Sequence, residues 1–237
     1  MSNFVLIHGS WHGAWCWYKV VPRLRAAGHH VEAVDLPGHG RDPADPAGVT
    51  LGSYVERIGA AIARAPGEVV LVAHSRGGVP ASQAAERYSE RVERIVYLAA
   101  YLLADGETVL DHAPHDRDSL VLPSLRFDPD GHWDMLEAAA FEPALYADCP
   151  PEDVALAHSL LVPEPALPTR TPVALTDDRY GSLPRTYVEL LQDRAVTLAL
   201  QRRMHAAVPC DVRAIDASHS AYFSAPDELA ALLMTPR

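Results

Sequence analysis

The chain has 237 residues and a formal net charge of −11, and 49% of its residues are hydrophobic. This length suits one large domain, or one domain with an insertion, and the apolar fraction argues against a disordered chain. The negative charge argues against a nucleic-acid-binding surface and against adhesion to anionic membranes.

The sequence shows no targeting or disulfide pattern. No stretch approaches the roughly 20 apolar residues of a membrane span, and the N-terminus lacks the basic region of a signal peptide. The cysteines, Cys16, Cys149 and Cys210, are odd in number, far apart and outside any CxxC motif. A disulfide framework or zinc site is therefore not expected, and we predict a cytoplasmic location.

Apolar runs alternate with helical segments over the first hundred residues. Four buried strands are predicted at Phe4–His8, Val31–Asp35, Val69–Ala73 and Arg94–Leu98. Segments rich in Ala, Leu, Arg or Glu predict helices near 15–27, 51–65 and 76–88. This order predicts an α/β fold with a mostly parallel sheet and helices on both faces.

The alternation stops after the fourth strand. Residues 104–183 are rich in proline, aspartate and histidine, with short helices predicted at Met135–Ala140 and Val154–Leu160. A long, partly helical insertion is more typical of a lid or cap than of a loop. We predict a cap of residues 104–183 inserted into a core of residues 1–103 and 184–237.

The α/β pattern resumes after the insertion. It predicts two strands, Thr186–Leu190 and Asp211–Ile215, and helices near Val196–Ala206 and Asp227–Met234. Loops that follow parallel strands meet at one edge of a sheet, where active sites of α/β proteins are built.

Ser75 lies in the stretch LVAHSRGG, between a predicted strand and a predicted helix. A tight strand–turn–helix with a nucleophilic serine needs small residues two positions before and after it, and here these are Ala73 and Gly77. Alanine in place of the usual first glycine is a mild departure. A serine beside glycines can also be an ordinary turn or capping residue. Its predicted role as nucleophile therefore depends on partners elsewhere in the chain.

A nucleophilic serine needs a base, and the base needs an orienting carboxylate. His219 follows the strand Asp211–Ile215 and is the predicted base, while Asp193 follows Thr186–Leu190 and is the predicted acid. This gives the order Ser, acid, His along the chain.

Other aspartates also lie near the predicted loops and are alternatives for the acid of the triad. Asp105 follows the fourth strand and is the main alternative. Asp216 is too close in sequence to His219 to turn back onto its ring. Asp177 and Asp178 precede their strand and so lie at its wrong end.

An oxyanion hole is the further requirement of acyl transfer. We expect one backbone N–H from Arg76, directly after the nucleophile, and one from Ser10 in the loop HGSW after the first strand. The guanidinium of Arg76 is expected in a helix-surface ion pair more than in contact with substrate.

The cap is expected to line the substrate pocket. Its substrate-binding candidates are Trp133, Leu136 and Phe141, with Met135 and Tyr146 nearby. Their spacing fits a short amphipathic helix, so they can equally form the core of the cap itself.

The segment "FVLIHGSWHGAWCWYKVVPRLRAAGHHVEAVDLPGHG" and the elbow "AHSRGG" resemble the α/β-hydrolase superfamily. Within it the chain is similar to plant methyl esterases of the salicylate-binding type, hydroxynitrile lyases and bacterial esterases. The likeness covers the first hundred residues and returns at "PRTYVELLQDRAV" and the His219 loop. It implies the same triad and the same two oxyanion positions, with His12 and Trp15 as packing residues.

Two departures favour an esterase over a lyase. The lyase branch has threonine at the position of Gly9 and a lysine at the position of Ser220. That lysine stabilises the leaving cyanide, so this chain lacks the cation that lyase chemistry uses.

The predicted activity is hydrolysis of a small carboxylic ester, without metal or organic cofactor and without nucleic-acid or membrane partners. A homodimer is left open. The alternatives are a lactonase, a carbon–carbon hydrolase or a lyase on the same triad, and a ligand receptor with a slow triad.

Overall fold

The structure is a computed structural model that describes residues 1–235. These residues form nine strands: β1 (Asn3–Ile7), β2 (His30–Val34), β3 (Val69–His74), β4 (Val92–Leu98), β5 (Leu125–Phe127), β6 (Trp133–Leu136), β7 (Glu164–Pro165), β8 (Arg185–Leu190) and β9 (Asp211–Ile215). They also form nine α-helices: α1 (Val20–Ala26), α2 (Leu51–Arg64), α3 (Gly78–Arg87), α4 (Ala138–Leu145), α5 (Pro151–Leu160), α6 (Ala166–Arg170), α7 (Leu198–Ala207), α8 (Ala221–Ser224) and α9 (Pro226–Met234). None of the helices in this described part has the length and apolar character needed to cross a bilayer.

Six strands form one parallel sheet in the order β2-β1-β3-β4-β8-β9. All six were predicted from the sequence, the central ones because their nearly continuous apolar runs are typical of strands buried on both faces. The carboxyl ends of β1, β3, β8 and β9 lie at one edge. The loops that carry HGSW, Ser75, Asp193 and His219 therefore start from the same edge of the sheet.

Helices cover both faces of this sheet. Alternate side chains such as Leu71 pack in one core with α2, α3 and α7, and the intervening ones, such as Val72, pack in a second core with α1 and α9. Burying each large aliphatic side chain stabilises the fold by about 1.5–3 kcal/mol. The predicted α/β-hydrolase architecture is confirmed.

The predicted helix at Met135–Ala140 was wrong. Trp133–Leu136 is strand β6, which pairs antiparallel with β5 and β7, and helix α4 begins only at Ala138. In β6 the buried side chains alternate with half-buried ones, which is strand periodicity, but four residues are too few to show it in the sequence.

Two other predicted helices are placed differently in detail. The helix near 15–27 is a 3₁₀ turn, Ala14–Trp17, followed by α1, which has Pro22 in its first turn. The predicted helix Val154–Leu160 lies within α5, which starts earlier at Pro151. The limits of residues 104–183 as a separate cap stay a prediction.

Candidate active site

Ser75 lies at the sharp turn between β3 and α3. Its φ angle is +54°, in the left-handed region that residues other than glycine rarely adopt. A Cβ atom added to Gly77 would lie 2.3 Å from the carbonyl oxygen of His8, so only glycine allows this turn. Ser75 is 8% exposed and lines a cavity of about 170 Å³.

His219 and Asp193 form a buried pair on the loops after β9 and β8. His219 Nδ1 lies 2.7 Å from Asp193 Oδ2, and the two residues are 2% and 6% exposed. The other carboxylate oxygen, Oδ1, accepts the backbone N–H groups of Ala195 and Val196, at 2.7 and 3.0 Å. Because a carboxylate only accepts, His219 carries its proton on Nδ1 and keeps Nε2 as the basic atom. His219 lines the same cavity as Ser75.

His74, the residue before Ser75, supports the loop of His219. Its Nε2 donates to the carbonyl oxygen of His219 at 2.9 Å, and the two rings lie 4.4 Å apart. Burial lowers the pKa of His74 well below its usual range, so the ring stays neutral. A neutral neighbour does not oppose a positive charge forming on His219 as a second cation would.

The alternative acids lie elsewhere. Asp105 accepts the backbone N–H of Leu175 at 2.8 Å, and Asp216 accepts the side-chain amide of Gln192 at 2.9 Å. Of the aspartates that were weighed, Asp193 is the one bonded to His219.

The loop after β1 holds the backbone amide of Ser10 free. The amide of Leu36 donates to His8 Nε2 at 3.1 Å, so His8 Nδ1 carries the proton and donates to the carbonyl oxygen of Gly9 at 2.7 Å. The N–H of Ser10 points opposite to that carbonyl, because the peptide is trans. Within residues 1–235 this N–H has no hydrogen-bond acceptor, and Ser10 lines the cavity. It is available for an oxyanion.

The guanidinium of Arg76 forms an ion pair inside the cavity wall. It donates to Asp134 of β6 at 2.8 and 3.3 Å and lies over the ring of Trp11, 5.3 Å from its centroid. The expected ion pair is thus present, but it is largely buried and not on a helix surface. The backbone N–H of Arg76, next to Ser75, takes no part in this ion pair and stays the predicted second donor of the oxyanion hole.

The two departures from the lyase branch have a structural basis. A Cβ atom at Gly9 would lie 2.6 Å from the Cβ of Ser75, so this loop has no space for threonine. Ser220 is fully buried and donates to the hydroxyl of Tyr222 at 3.0 Å. The neighbours of Gly9 and Ser220 are therefore so close that each position takes a small residue.

The predicted substrate-binding residues Trp133, Leu136 and Phe141 do not line the cavity. Leu136 and Phe141 are buried in the second core, and Trp133 pairs with β7. Of the four residues of strand β6, Asp134 lines the cavity, and the residues that bind substrate stay a prediction. The apolar wall consists mainly of other residues, among them Val109, Leu110, Val121, Leu122, Leu125, Phe127 and Leu145.

Two polar residues of the wall were not predicted. Tyr101 donates its backbone N–H to the carbonyl oxygen of Ser75 at 2.9 Å and lines the cavity. Asp116 accepts the backbone N–H of Thr197 at 3.0 Å, and burial raises the pKa of its carboxyl. Neither has a local sequence signal, since each is a single residue in a loop.

The buried histidines His8 and His12 should make the folded protein less stable at acidic pH. Burial lowers the pKa of His8 and of His12 to about 3, whereas an unfolded histidine has a pKa of about 6.5. As pH falls below 6.5 the unfolded chain binds protons that the folded protein does not, so stability decreases. These two groups should reduce the free energy of unfolding by about 5 kcal/mol between pH 7.5 and 4.5, as measured by urea unfolding.

Variants separate this effect from general acid denaturation. His12→Gln should reduce the pH-dependent loss by about 2.5 kcal/mol. The exposed His30 provides the control, because His30→Gln should leave the pH dependence as it is. A free energy of unfolding that stays constant from pH 7 to 4.5 would show that these histidines titrate normally.

The sequence profile of the alpha/beta hydrolase family matches residues 4–232. The chain is 36% identical to methylesterase 7 of Arabidopsis thaliana, over 98% of this chain and 95% of that protein. It is 33% identical to "Putative methylesterase 11, chloroplastic" from the same plant, over 98% of this chain, but it spans only 63% of that relative's length. The solved structure of a pyrethroid hydrolase from Sphingobium faniae JZ-2 superposes with a TM-score of 0.89 at 29% identity, covering 98% of this chain and 95% of that one.

The parallel sheet, the serine elbow at its edge and the esterases among its relatives define an esterase-type α/β hydrolase. The chain belongs to the alpha/beta hydrolase family, as its resemblance to the methyl esterase group predicted.

Proposed function

We propose that the protein hydrolyses a carboxylic ester through Ser75, His219 and Asp193, with an acyl-enzyme intermediate. The observation that carries this proposal is that Ser75, in its left-handed turn, shares a cavity with a histidine whose Nδ1 proton is bound by a buried carboxylate. The relatives named as methylesterases support an ester of a small alcohol as substrate.

The reaction follows from these groups. His219 Nε2 takes the Ser75 proton while Oγ attacks the ester carbonyl, and the N–H groups of Ser10 and Arg76 hold the oxyanion. The alcohol then leaves with the proton from His219. Water, deprotonated by the same nitrogen, attacks the acyl-enzyme, and the acid is released with Ser75 restored.

The cavity favours an uncharged, apolar acid portion. Its wall is mostly aliphatic and aromatic, and its buried charges at Arg76 and Asp116 are already bonded to Asp134 and Thr197. A charged substrate would have to compete with these bonds. Among methyl esters, those of apolar acids should therefore give the highest kcat/KM.

Labelling with a fluorophosphonate tests the nucleophile without knowledge of the natural ester. We expect one adduct per chain, mapped by peptide mass spectrometry to Ser75, and loss of ester hydrolysis in proportion to labelling. His219→Ala should slow the labelling by at least about 100-fold, because the base is missing. An adduct on a different residue, or full activity after complete labelling, would contradict the proposed mechanism.

A further inference from the structure

Glu164 lies beneath the loop that carries the Ser10 amide. It belongs to strand β7, and it is 4% exposed. Its Oε2 accepts the backbone N–H of Trp11 at 3.1 Å and contacts His39 Nε2 at 3.0 Å. Its Oε1 accepts the hydroxyl of Tyr54 at 3.3 Å. A carboxylate from the segment between β4 and β8 thus binds the loop after β1.

The bond from Trp11 to Glu164 holds a strained part of this loop. Trp11 has a φ angle of +63°, a left-handed conformation that is unfavourable for a residue with a side chain. The peptide between Ser10 and Trp11 is bonded at both ends, because His12 Nδ1 donates to its oxygen at 2.6 Å and Glu164 accepts from its nitrogen. Such a backbone conformation persists only where its surroundings fix it.

We propose that Glu164 is a positioning residue for the oxyanion hole, which it serves by binding the Trp11 N–H and so fixing the peptide that directly follows Ser10. This inference rests on the proposed function. His8 fixes the peptide before Ser10, and Glu164 with His12 fixes the one after it. If the bond to Glu164 is lost, only His12 holds the peptide between Ser10 and Trp11, so the backbone of Ser10 can rotate and its N–H is displaced.

Glu164 could also act through its negative charge and not through its hydrogen bond to Trp11. Although burial opposes its ionisation, His39 and Arg76 lower the pKa of Glu164 to about 2, so it is a carboxylate at neutral pH. The charge of this carboxylate and the hydrogen bond that it accepts from Trp11 are therefore two separate ways in which Glu164 can act on the site.

Two conservative variants separate the hydrogen bond from the charge. In Glu164→Gln the amide oxygen can accept from Trp11 and His39, and the amide nitrogen can donate to Tyr54. In Glu164→Asp the charge stays, but the shorter side chain withdraws the acceptor from Trp11. Positioning predicts that the glutamine variant keeps a kcat within about threefold of wild type, whereas the aspartate and alanine variants lose about 30-fold. A purely electrostatic role in the buried cluster predicts the opposite order.

The matched control is Asp153, a second buried carboxylate between the same parts of the chain. It lies on α5, is fully buried, and binds Lys19 and the hydroxyl of Tyr18, away from the Ser10 loop. Asp153→Asn should lower the melting temperature while kcat stays within about threefold of wild type. If it reduced kcat as strongly as Glu164→Asp, the effect of Glu164 would be general destabilisation.

The experiment uses a chromogenic ester and an aryl trifluoromethyl ketone, which adds to the serine as a tetrahedral oxyanion. For Glu164→Asp we expect KM to stay within about threefold, with kcat and the affinity for the ketone decreasing by a similar factor. Unchanged ketone affinity together with unchanged kcat would overturn the inference. Fluorophosphonate labelling of wild-type protein keeps the two proposals apart, because a wild type that is not labelled at Ser75 contradicts the proposed function itself.

Discussion

Replacing Ser75 with alanine should reduce kcat for a small chromogenic ester by about 10⁵- to 10⁶-fold. The hydroxyl is the atom that forms the acyl-enzyme, and no neighbouring group can take its place at the turn after β3. The fold should be retained, because alanine meets the same +54° φ angle as serine and keeps the Cβ atom that fits beside Gly9. The measurement is steady-state turnover, with the melting temperature and the near-UV circular dichroism of both proteins compared.

Ser82→Ala is the matched control for this substitution. Ser82 is a fully buried serine on α3, whose hydroxyl bonds to the carbonyl oxygen of Gly78 and to Tyr97, outside the cavity wall. Its loss should cost about 1 kcal/mol of stability and leave kcat within about threefold of wild type. If Ser75→Ala and wild type hydrolysed the ester equally slowly, the serine would have no catalytic role.

The large sheet could be predicted from the sequence because its central strands are buried on both faces. Runs such as Val69–Ala73 contain no polar residue that would confuse the pattern, and the helices between them are long enough to show their character. The small sheet of β5, β6 and β7 could not be predicted. Its strands are two to four residues long, and β7 pairs with β6 although the paired residues lie at least 30 positions apart in the chain.

The pairing of His219 with Asp193 was predictable because both residues directly follow strands of the parallel sheet. The order of strands then brings their loops to one edge, with no need for a local contact between the two residues. Gly77 and Gly9 belong to short motifs whose geometry allows almost nothing but glycine. In each case a constraint on the backbone restricts the residue type or its position, so one sequence is enough to recognise it.

The residues that line the cavity and hold its loops could not be recognised in the sequence. Glu164 and Asp134 are two acidic residues among 31, and each reaches the site only because a short strand turns its side chain inward. Trp11 lines the cavity with a left-handed backbone conformation. Surrounding residues must hold a tryptophan in this conformation. These features are fixed by tertiary contacts, so they could only be found in the structure.

Replacing Asp193 with asparagine should reduce kcat by about 10⁴-fold near neutral pH, although the two side chains have the same shape. The reason lies in the two backbone amides of Ala195 and Val196, which both donate to Oδ1. In the variant the amide oxygen must stay at this position, so the NH₂ group faces His219 Nδ1. A donor there forces the imidazole to carry its proton on Nε2, where it can no longer accept one from Ser75. Turnover measured from pH 6 to 10 and the melting temperature would check this.

Asp105→Asn completes this comparison, since Asp105 was the main alternative acid and is bonded only through the amide of Leu175 in the described structure. Its amide oxygen can keep that bond, so kcat should stay within about threefold of wild type.

The expected contrast depends on the tautomer of His219 and not on the loss of negative charge alone, because both substitutions remove one carboxylate. Equal losses in the two variants would mean that the net charge of the loops controls the rate, and that Asp193 has no special relation to His219. A large loss confined to Asp193→Asn, with a normal melting temperature, is the result that the 2.7 Å bond between Asp193 and His219 predicts.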